Sequence, residues 1–200
     1  MNMLSRPLHG LLLTGGASRR MGQDKALLDY AGETQLIRAF RLLEAMVDRA
    51  FVSVREDQRQ EETRRQLPQI VDTQADIGPA AGILAAHAAH PRAAWLVLAC
   101  DLPLLNRATL DALLAARDPA RAATAFTSAY DGLPEPLCAI WEPTAIEALA
   151  QSVANGRICP RKELFRLDTK LIAPVDAQAL DNANSPEDRD EILARLRKAS

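Results

Sequence analysis

Short apolar runs alternate with longer stretches of helical periodicity along this 200-residue chain. The two clearest runs, residues 8–13 and 95–100, are mostly apolar, which is typical of strands that are buried on both faces of a parallel sheet. Between such runs, apolar residues recur every three or four positions, as they do in helices that pack against a sheet. The alternation predicts an α/β fold with a mainly parallel sheet.

The same alternation between short apolar runs and helical periodicity predicts the remaining strands and helices. Further strands are expected at residues 51–54, 70–71, 122–127 and 137–141. Helices are expected from Thr34 onward, from the turn 78–82 to about residue 90, at 107–117, at 143–153 and at about 186–197. Thr34 is the predicted N-cap of the first helix, whose apolar face is expected to carry Ile37, Phe40, Leu43 and Val47. We expect three layers, a Rossmann-like sheet with helices on both faces, in a single domain over residues 1–200.

Composition and charge narrow the class of protein. Hydrophobic residues make up 48% of the chain, which is ample for a core, and the formal net charge of −2 gives no basic field for a nucleic-acid partner. Cys100, Cys138 and Cys159 are isolated, so neither a disulfide framework nor a zinc site is expected. No run approaches the roughly 18 apolar residues of a membrane span, and the first apolar run lacks a signal-peptide cleavage site. We therefore expect a cytoplasmic protein without a membrane partner.

Residues 14–25 carry the most chemistry, and they read Thr-Gly-Gly-Ala-Ser-Arg-Arg-Met-Gly-Gln-Asp-Lys. The glycines let backbone N–H groups approach phosphate oxygens closely. Arg19, Arg20 and Lys25 add cationic donors. The segment is neither a Walker A loop nor a dinucleotide fingerprint, because the required spacings are absent. It predicts a polyphosphate site, and a tight turn with solvated charges is the alternative.

Two aspartates follow predicted strands. Asp101 comes directly after the run 95–100 and precedes Leu-Pro, which favours a role as a Mg²⁺ ligand beside the cationic segment. Asp72 precedes the turn 78–82. Ligand sites in open parallel sheets lie beyond the carboxyl ends of strands, so both aspartates are expected in one crevice with residues 14–25. A helix cap at Asp101 and an Asx turn at Asp72 remain simpler alternatives.

These residues resemble the signature of the molybdenum cofactor guanylyltransferase family, nucleotidyltransferases of the glycosyltransferase-A-like fold. The family reads Leu-Ala-Gly-Gly-x-x-x-Arg-Met-Gly-x-Asp-Lys, and residues 13–25 match it with Thr14 in place of alanine. Residues 100–103 resemble its Cys-Asp-x-Pro turn, and Asp72 with residues 78–82 resembles its aspartate and Gly-Pro-x-x-Gly turn.

A last motif lies near the end of the chain. Residues 182–188 resemble the family's Asn-x-Asn-Thr-Pro-Glu-Asp segment, with Ser185 in place of threonine. The resemblance covers nearly the whole chain and is strongest over residues 11–37 and 70–104.

The resemblance implies a Mg²⁺-dependent enzyme that transfers GMP from GTP to the phosphate of molybdenum-molybdopterin, giving a guanine dinucleotide cofactor and pyrophosphate. The catalytic residues it implies are Lys25, Arg20 and Asp101. The implied nucleotide-binding residues are Leu13, Thr14, Gly15, Gly16, Arg19, Lys25, Asp72 and Asp101, with Asp101 also the metal ligand. The implied acceptor-binding residues are Arg157, Arg161, Lys162, Asn182 and Asn184. A solvated charged face at 157–162 and a helix N-cap at Asn184 are the alternatives.

Other functions stay open. Ser53 and Arg55 lie where the family often has an asparagine near the base, so this strand does not fix the choice of base. The glycine-rich loop is shared broadly among related enzymes, and a cytidylyltransferase or a sugar- or polyol-phosphate nucleotidyltransferase is therefore an alternative enzyme. A non-catalytic nucleotide-binding scaffold is the alternative of another class. The partners implied by the resemblance are GTP, a molybdopterin-type acceptor and, transiently, proteins of cofactor biosynthesis or molybdoenzymes.

Overall fold

A seven-stranded sheet forms the centre of the protein in the computed structural model, which describes residues 6–14, 24–30, 32–182, 192 and 194–195. In chain order the strands are β1 (Leu8–Leu13), β2 (Asp29–Tyr30), β3 (Glu33–Thr34), β4 (Arg49–Val54), β5 (Gln69–Val71), β6 (Ala94–Ala99), β7 (Ala123–Thr127), β8 (Pro134–Trp141) and β9 (Thr169–Ile172). Strands β2 and β3 form a separate antiparallel pair. The other strands have the spatial order β5-β4-β1-β6-β8-β7-β9.

The helices begin where the sequence offers caps. They are α1 (Gln35–Glu44), α2 (Ala80–Ala89), α3 (Arg107–Ala115), α4 (Pro143–Ala154) and α5 (Pro160–Arg166). The Thr34 hydroxyl accepts a hydrogen bond from the backbone N–H of Ile37 at the start of α1, and the Asn106 side chain accepts from the N–H of Thr109 at the start of α3. Both contacts satisfy N–H groups that a helix leaves unpaired in its first turn. Within the described ranges, no helix is both long and apolar enough to cross a membrane.

Strand β8 runs against the direction of its neighbours. Strands β5, β4, β1 and β6 are parallel, whereas β8 is antiparallel to both β6 and β7. Leu98 of β6 lies opposite Cys138 of β8. The start of β8 therefore lies beside the carboxyl end of β6, at the edge of the sheet where the parallel strands end.

The sheet is buried on both faces. One core cluster packs α1 and α3 against the sheet through residues such as Leu12, Phe40, Leu43, Leu98 and Leu110. The other packs α2 and α4 against the opposite face, and its members include Leu11, Ile83, Trp95, Trp141 and Ile146. Successive residues Leu11 and Leu12 point to opposite faces and are both fully buried, which explains the continuous apolar run. The predicted α/β class, with a mainly parallel sheet and helices on both faces, is confirmed.

Several details differ from the sequence prediction. The buried face of α1 carries Leu36, Ala39, Phe40 and Leu43, whereas Ile37 is only partly buried and Val47 lies beyond the helix end. The apolar stripe is thus rotated by one residue toward Leu36. Strand β8 begins three residues earlier than predicted. Most of the predicted helix at 186–197 lies outside the described residues.

Candidate active site

A cavity of about 440 Å³ opens at the carboxyl ends of β1, β4 and β5, and we call it the Asp72 cavity. Leu13, Ser53, Arg55, Asp72 and the residues around the turn 78–82 line it. Its position beyond the strand ends is the usual place for a ligand in an open α/β sheet.

The polar floor of this cavity is a hydrogen-bonded pair. The Ser53 hydroxyl donates to Oδ1 of Asp72 at 2.6 Å. Burial raises the pKa of the Asp72 carboxyl, and the Ser53 hydrogen bond and the Arg55 charge oppose that rise. The Thr14 hydroxyl donates to the Ser53 carbonyl at 2.7 Å, so the end of β1 is tied to β4 beneath the cavity.

Gly82 lets helix α2 approach this pair closely. A Cβ at Gly82 would lie 2.3 Å from the Ser53 Oγ and 2.7 Å from Cδ2 of Leu13. Only a residue without a side chain leaves room for the hydroxyl that holds Asp72. Gly78, with φ of +59°, makes the turn that leads into α2.

Asp101 follows β6 and lines a second cavity, of about 230 Å³, which we call the Asp101 cavity. Its side chain is half-buried. Burial raises the pKa of the Asp101 carboxyl, and the positive charge of Lys25 opposes that rise. Lys25 and Asp101, two of the three residues that the resemblance assigns to catalysis, are thus within electrostatic reach of each other.

The Asp101 carboxylate fits a Mg²⁺ ion. Among the residues described, no group of three or more His, Cys, Asp or Glu side chains could hold a metal. Mg²⁺ commonly takes one or two carboxylates and completes its shell with substrate phosphates and water. A dication beside Asp101 would also favour the charged form that burial opposes. The donor set therefore suits a metal that arrives with a polyphosphate.

Lys25 begins a short 3-10 helix, Lys25–Leu27, that Asp24 caps. Asp24 Oδ1 accepts a hydrogen bond from the N–H of Ala26 at 3.0 Å, and Oδ2 lies 2.7 Å from the Arg64 guanidinium. Arg64 is fully buried. It is the main residue that the sequence analysis missed, because it stands in a polar, charge-rich stretch that gives no sign of burial.

The residue before Asp101 is not a nucleophile. Burial, with a contribution from the Asp101 charge, raises the pKa of the Cys100 thiol, so the thiol stays protonated at neutral pH.

The residues predicted to bind the acceptor separate into two groups. Arg161 and Asn182 line the Asp101 cavity together with Glu135. Arg157 and Lys162 are exposed and are not among the lining residues of either cavity. Within the charged stretch at 157–162, Arg161 thus lines a cavity, whereas Arg157 and Lys162 form a solvated face.

Arg161 is held in place by the start of β8. Its guanidinium donates to the Pro134 carbonyl at 3.0 Å, to Asp131 Oδ2 at 3.0 Å and to Glu135 Oε1 at 3.0 Å. Two carboxylates compensate its charge, yet its side chain keeps about a third of its surface exposed. It can therefore still offer a donor to a ligand in the cavity.

A third cavity, of about 400 Å³, adjoins the Asp101 cavity and shares Glu135, Arg161 and Asn182 with it. Tyr130 lies on its rim and donates a 2.8 Å hydrogen bond from its hydroxyl to Asp181. The two adjoining cavities together give room for a ligand larger than a phosphate.

Five of the residues predicted for the site lie outside the described residues, and they are Gly15, Gly16, Arg19, Arg20 and Asn184. The described site residues Leu13, Thr14 and Lys25 bracket the first four of them in sequence. Leu13 lines the Asp72 cavity, and Lys25 lies near Asp101.

An α/β sheet with an aspartate-floored cavity at its carboxyl edge, beside a lysine and a carboxylate suited to Mg²⁺, has the parts that a nucleotidyltransferase needs. The sequence model of the MobA-like NTP transferase domain matches residues 10–170. The chain belongs to this family, whose members generally use a divalent metal ion. The resemblance found in the sequence is confirmed.

Relatives with assigned names agree with this membership. A molybdenum cofactor biosynthesis bifunctional protein from Synechocystis is 39% identical over 186 residues, covering 93% of this chain and 54% of that protein. The chain thus spans about half the length of that relative. A molybdenum cofactor guanylyltransferase from Pseudomonas putida is 31% identical over 189 residues, covering 90% of this chain and 95% of the relative.

A solved structure shares the fold. The molybdopterin-guanine dinucleotide biosynthesis protein A from Archaeoglobus fulgidus superimposes with a TM-score of 0.77, covering 95% of this chain and 99% of that chain at 22% identity.

Proposed function

We propose that this protein transfers GMP from GTP to the phosphate of molybdenum-molybdopterin, with Mg²⁺ as cofactor, and that residues 1–200 act as one nucleotidyltransferase domain. The products are a guanine dinucleotide cofactor and pyrophosphate. The names of the relatives support the donor and the acceptor, and the arrangement of the two cavities supports a reaction between two substrates.

The observation that carries the proposal is the order of strand ends along the sheet. The Asp72 cavity covers the ends of β5, β4 and β1, and the Asp101 cavity lies between β6 and the start of β8. Strands β1 and β6 are neighbours. A donor nucleoside in the first cavity and an acceptor in the second would therefore meet near Asp101 and Lys25.

Each residue then has a defined task. The Ser53 and Asp72 pair binds the nucleoside, and Lys25 places a positive charge beside the phosphates, where Arg19 and Arg20 of the signature segment would add to it. Asp101 would hold the metal ion, and bound Mg²⁺ would neutralise charge at the phosphate oxygens.

The chemistry is an in-line displacement. An acceptor phosphate oxygen attacks the α-phosphorus of GTP, a new oxygen–phosphorus bond forms, and the bond to the β-phosphate oxygen breaks to release pyrophosphate. The acceptor phosphate is already an anion at pH 7, so no base is needed to activate it. Positioning and charge stabilisation by Lys25 and the residues around Asp101 supply the rate enhancement.

Arg161 and Asn182 are suited to the acceptor because they line the Asp101 cavity. A guanidinium that already pairs with Asp131 and Glu135 is fixed in orientation, which lowers the entropic cost of binding an anion. The adjoining third cavity offers space for the ring system of a pterin.

A pyrophosphate-release assay tests the proposal. GTP, CTP, ATP and UTP are each supplied with Mg²⁺ and with molybdenum-molybdopterin, a sugar phosphate or a polyol phosphate as acceptor. We expect release only with GTP and molybdenum-molybdopterin together, and a guanine dinucleotide in the mass spectrum. Preference for CTP or for a sugar phosphate would favour the alternative enzymes. Nucleotide binding with no release for any pair would favour the scaffold.

A further inference from the structure

Arg64 is a buried charge that the proposed reaction does not use directly. Its side chain has no solvent exposure, although it begins a short 3-10 helix, Arg64–Gln66, in a charge-rich stretch that precedes β5 in the chain. Burying a guanidinium is costly unless its donors are paired. The groups that pair with Arg64 therefore indicate the role of its buried guanidinium.

Three residues receive its donors through four acceptor groups. The Nε and one terminal nitrogen contact the Thr14 hydroxyl at 3.3 Å and the Thr14 carbonyl at 3.5 Å. The same terminal nitrogen that contacts the Thr14 carbonyl lies 2.7 Å from Asp24 Oδ2. The other terminal nitrogen donates to Glu61 Oε2 at 3.3 Å.

Two of these partners lie near opposite ends of the signature. Thr14 directly precedes residues 15–23, and Asp24 directly follows them. One planar side chain thus contacts both ends of the segment that the sequence assigns to the phosphates. Arginine suits this role because its donors are spread in a rigid fork, whereas a lysine offers a single point charge.

The contact between Arg64 and Asp24 also affects the position of Lys25. The same carboxylate that pairs with Arg64 accepts from the Ala26 N–H and caps the 3-10 helix that Lys25 begins. Fixing Asp24 therefore fixes the backbone from which Lys25 extends toward Asp101.

Thr14 is also the position where the chain departs from the signature, which has alanine there. Alanine has no hydroxyl to accept from the Arg64 Nε. The hydrogen bond between the Arg64 Nε and the Thr14 hydroxyl is therefore a feature of this chain that the signature does not contain.

Glu61 completes the arrangement. Burial alone would raise the pKa of Glu61, but hydrogen bonds from the N–H groups of Thr63 and Arg64, together with the Arg64 charge, hold that pKa below its usual value. Glu61 thus stays ionised and orients the guanidinium from the side away from Thr14.

We infer that Arg64 is a positioning residue for the triphosphate: it holds Thr14 and Asp24 at a fixed separation and thereby places Lys25. The inference rests on the proposed function, since it concerns the phosphate end of the same donor site. The base end is held separately by the Ser53 and Asp72 pair.

The experiment compares the wild type with R64K, D24N and the control R65Q. R64K keeps the charge but cannot span both partners, and D24N leaves the buried arginine in place. Arg65 is the exposed neighbour on the same 3-10 helix, so R65Q removes a positive charge without changing the contacts of Arg64 with Thr14 and Asp24. Calorimetry measures the affinity for inorganic tripolyphosphate and, separately, for guanosine, after a melting curve has shown that each variant is folded.

We expect R64K and D24N to weaken tripolyphosphate binding by about tenfold or more, the range for losing a hydrogen bond to a charged group. Guanosine affinity should stay unchanged in both variants, and R65Q should match the wild type. In steady-state kinetics with GTP, kcat should fall by up to about 100-fold, as expected when a catalytic group is displaced by about 1 Å.

Three results would overturn the inference: tripolyphosphate binding that is unchanged in R64K and D24N, an equal loss of guanosine and tripolyphosphate binding, or a wild type that does not bind tripolyphosphate. The proposed function fails by a different result. If the wild type binds tripolyphosphate but transfers no GMP, the reaction is wrong, while the comparison of variants still decides the role of Arg64.

Discussion

The hydroxyl of Ser53 donates a 2.6 Å hydrogen bond to the carboxylate of Asp72, across the adjacent ends of β4 and β5. Asp72 is further fixed because its backbone N–H donates to the Val54 carbonyl at 2.8 Å. This pair forms the floor of the Asp72 cavity and lies directly under Gly82 of α2. Its geometry therefore depends on a helix residue that has no side chain of its own.

Gly82→Ala should disturb the Asp72 cavity by displacing Ser53. The added Cβ would lie 2.3 Å from the Ser53 Oγ, so the serine must rotate or the helix must shift. We expect a loss of about 1–3 kcal/mol in the free energy of unfolding, typical of overpacking, together with a weaker affinity for guanosine. Chemical denaturation and calorimetry measure the two effects.

Gly10→Ala is the matched control for Gly82→Ala. A Cβ at Gly10 would lie 2.6 Å from Cγ of Leu43, on the face of the sheet that packs against α1. This variant should lose comparable stability but keep its affinity for guanosine. If both variants lost affinity equally, the Ser53 and Asp72 pair would not be the binding element.

Asp101→Asn should separate function from stability. Because burial raises the pKa of Asp101, the ionised carboxylate costs folding free energy at every pH above its usual pKa of about 4. The neutral amide removes that cost, so we expect the melting temperature at pH 7 without Mg²⁺ to be equal or higher. The transfer rate should fall by about 100-fold or more, because the carboxylate proposed to bind the metal is lost.

Exposed Asp111 on α3 provides the control for this variant. Asp111→Asn should change neither the rate nor the response of the melting temperature to Mg²⁺. A drop in melting temperature for Asp101→Asn, with a proportionate loss of rate, would instead indicate a structural role for the carboxylate.

Arg161→Gln should affect the acceptor and leave the donor alone. Arg161 lines the Asp101 cavity, whereas the donor nucleoside is assigned to the Asp72 cavity. We expect the KM for the acceptor to rise by about 10- to 100-fold, the range for losing a charge-assisted hydrogen bond, and the KM for GTP to stay unchanged. Lys162→Gln, at the exposed next residue, should behave as the wild type. Equal effects of the two substitutions would point to general electrostatics rather than a contact.

Stability should also fall in mild acid because of His9. Burial lowers the pKa of His9 below its ordinary value of 6.5, and the neighbouring charge of His90 adds to this. The unfolded chain therefore takes up a proton before the folded protein does, and the free energy of unfolding drops as the pH falls below 6.5. His9→Phe, which keeps an aromatic ring beside Phe51 and Trp95, should flatten the stability profile between pH 7.5 and pH 5.5 measured by urea denaturation. An unchanged slope would assign the effect to another group.

The sequence was sufficient for the parts of the fold whose signals are local. The apolar runs that became β1 and β6 are buried on both faces, and that burial is visible as an uninterrupted run of apolar residues. Asp101 was found for the same reason, since a carboxylate directly after such a run must lie at the sheet edge. Helix α5, at seven residues, and strand β9, at four, are too short to show a period, so they were missed.

Arg64 illustrates the other limit. Its burial depends on Thr14, which lies 50 residues earlier, and on Asp24, and no local pattern reports contacts over that distance. The division of residues 157–162 was unpredictable for a similar reason. Arg161 lines the cavity because it contacts Pro134 and Glu135 at the start of β8, whereas Lys162 is exposed to solvent.

The reversed direction of β8 brings the later part of the chain to the edge where the earlier strands end. In the proposed reaction, the donor would be bound by residues before about 102, and most residues facing the second substrate would come from the segments that follow. Natural variation could therefore retune the acceptor by altering β8 and α5 while the donor machinery stays intact. Grafting the segment from 130 to 182 between relatives with different acceptors would exploit that separation.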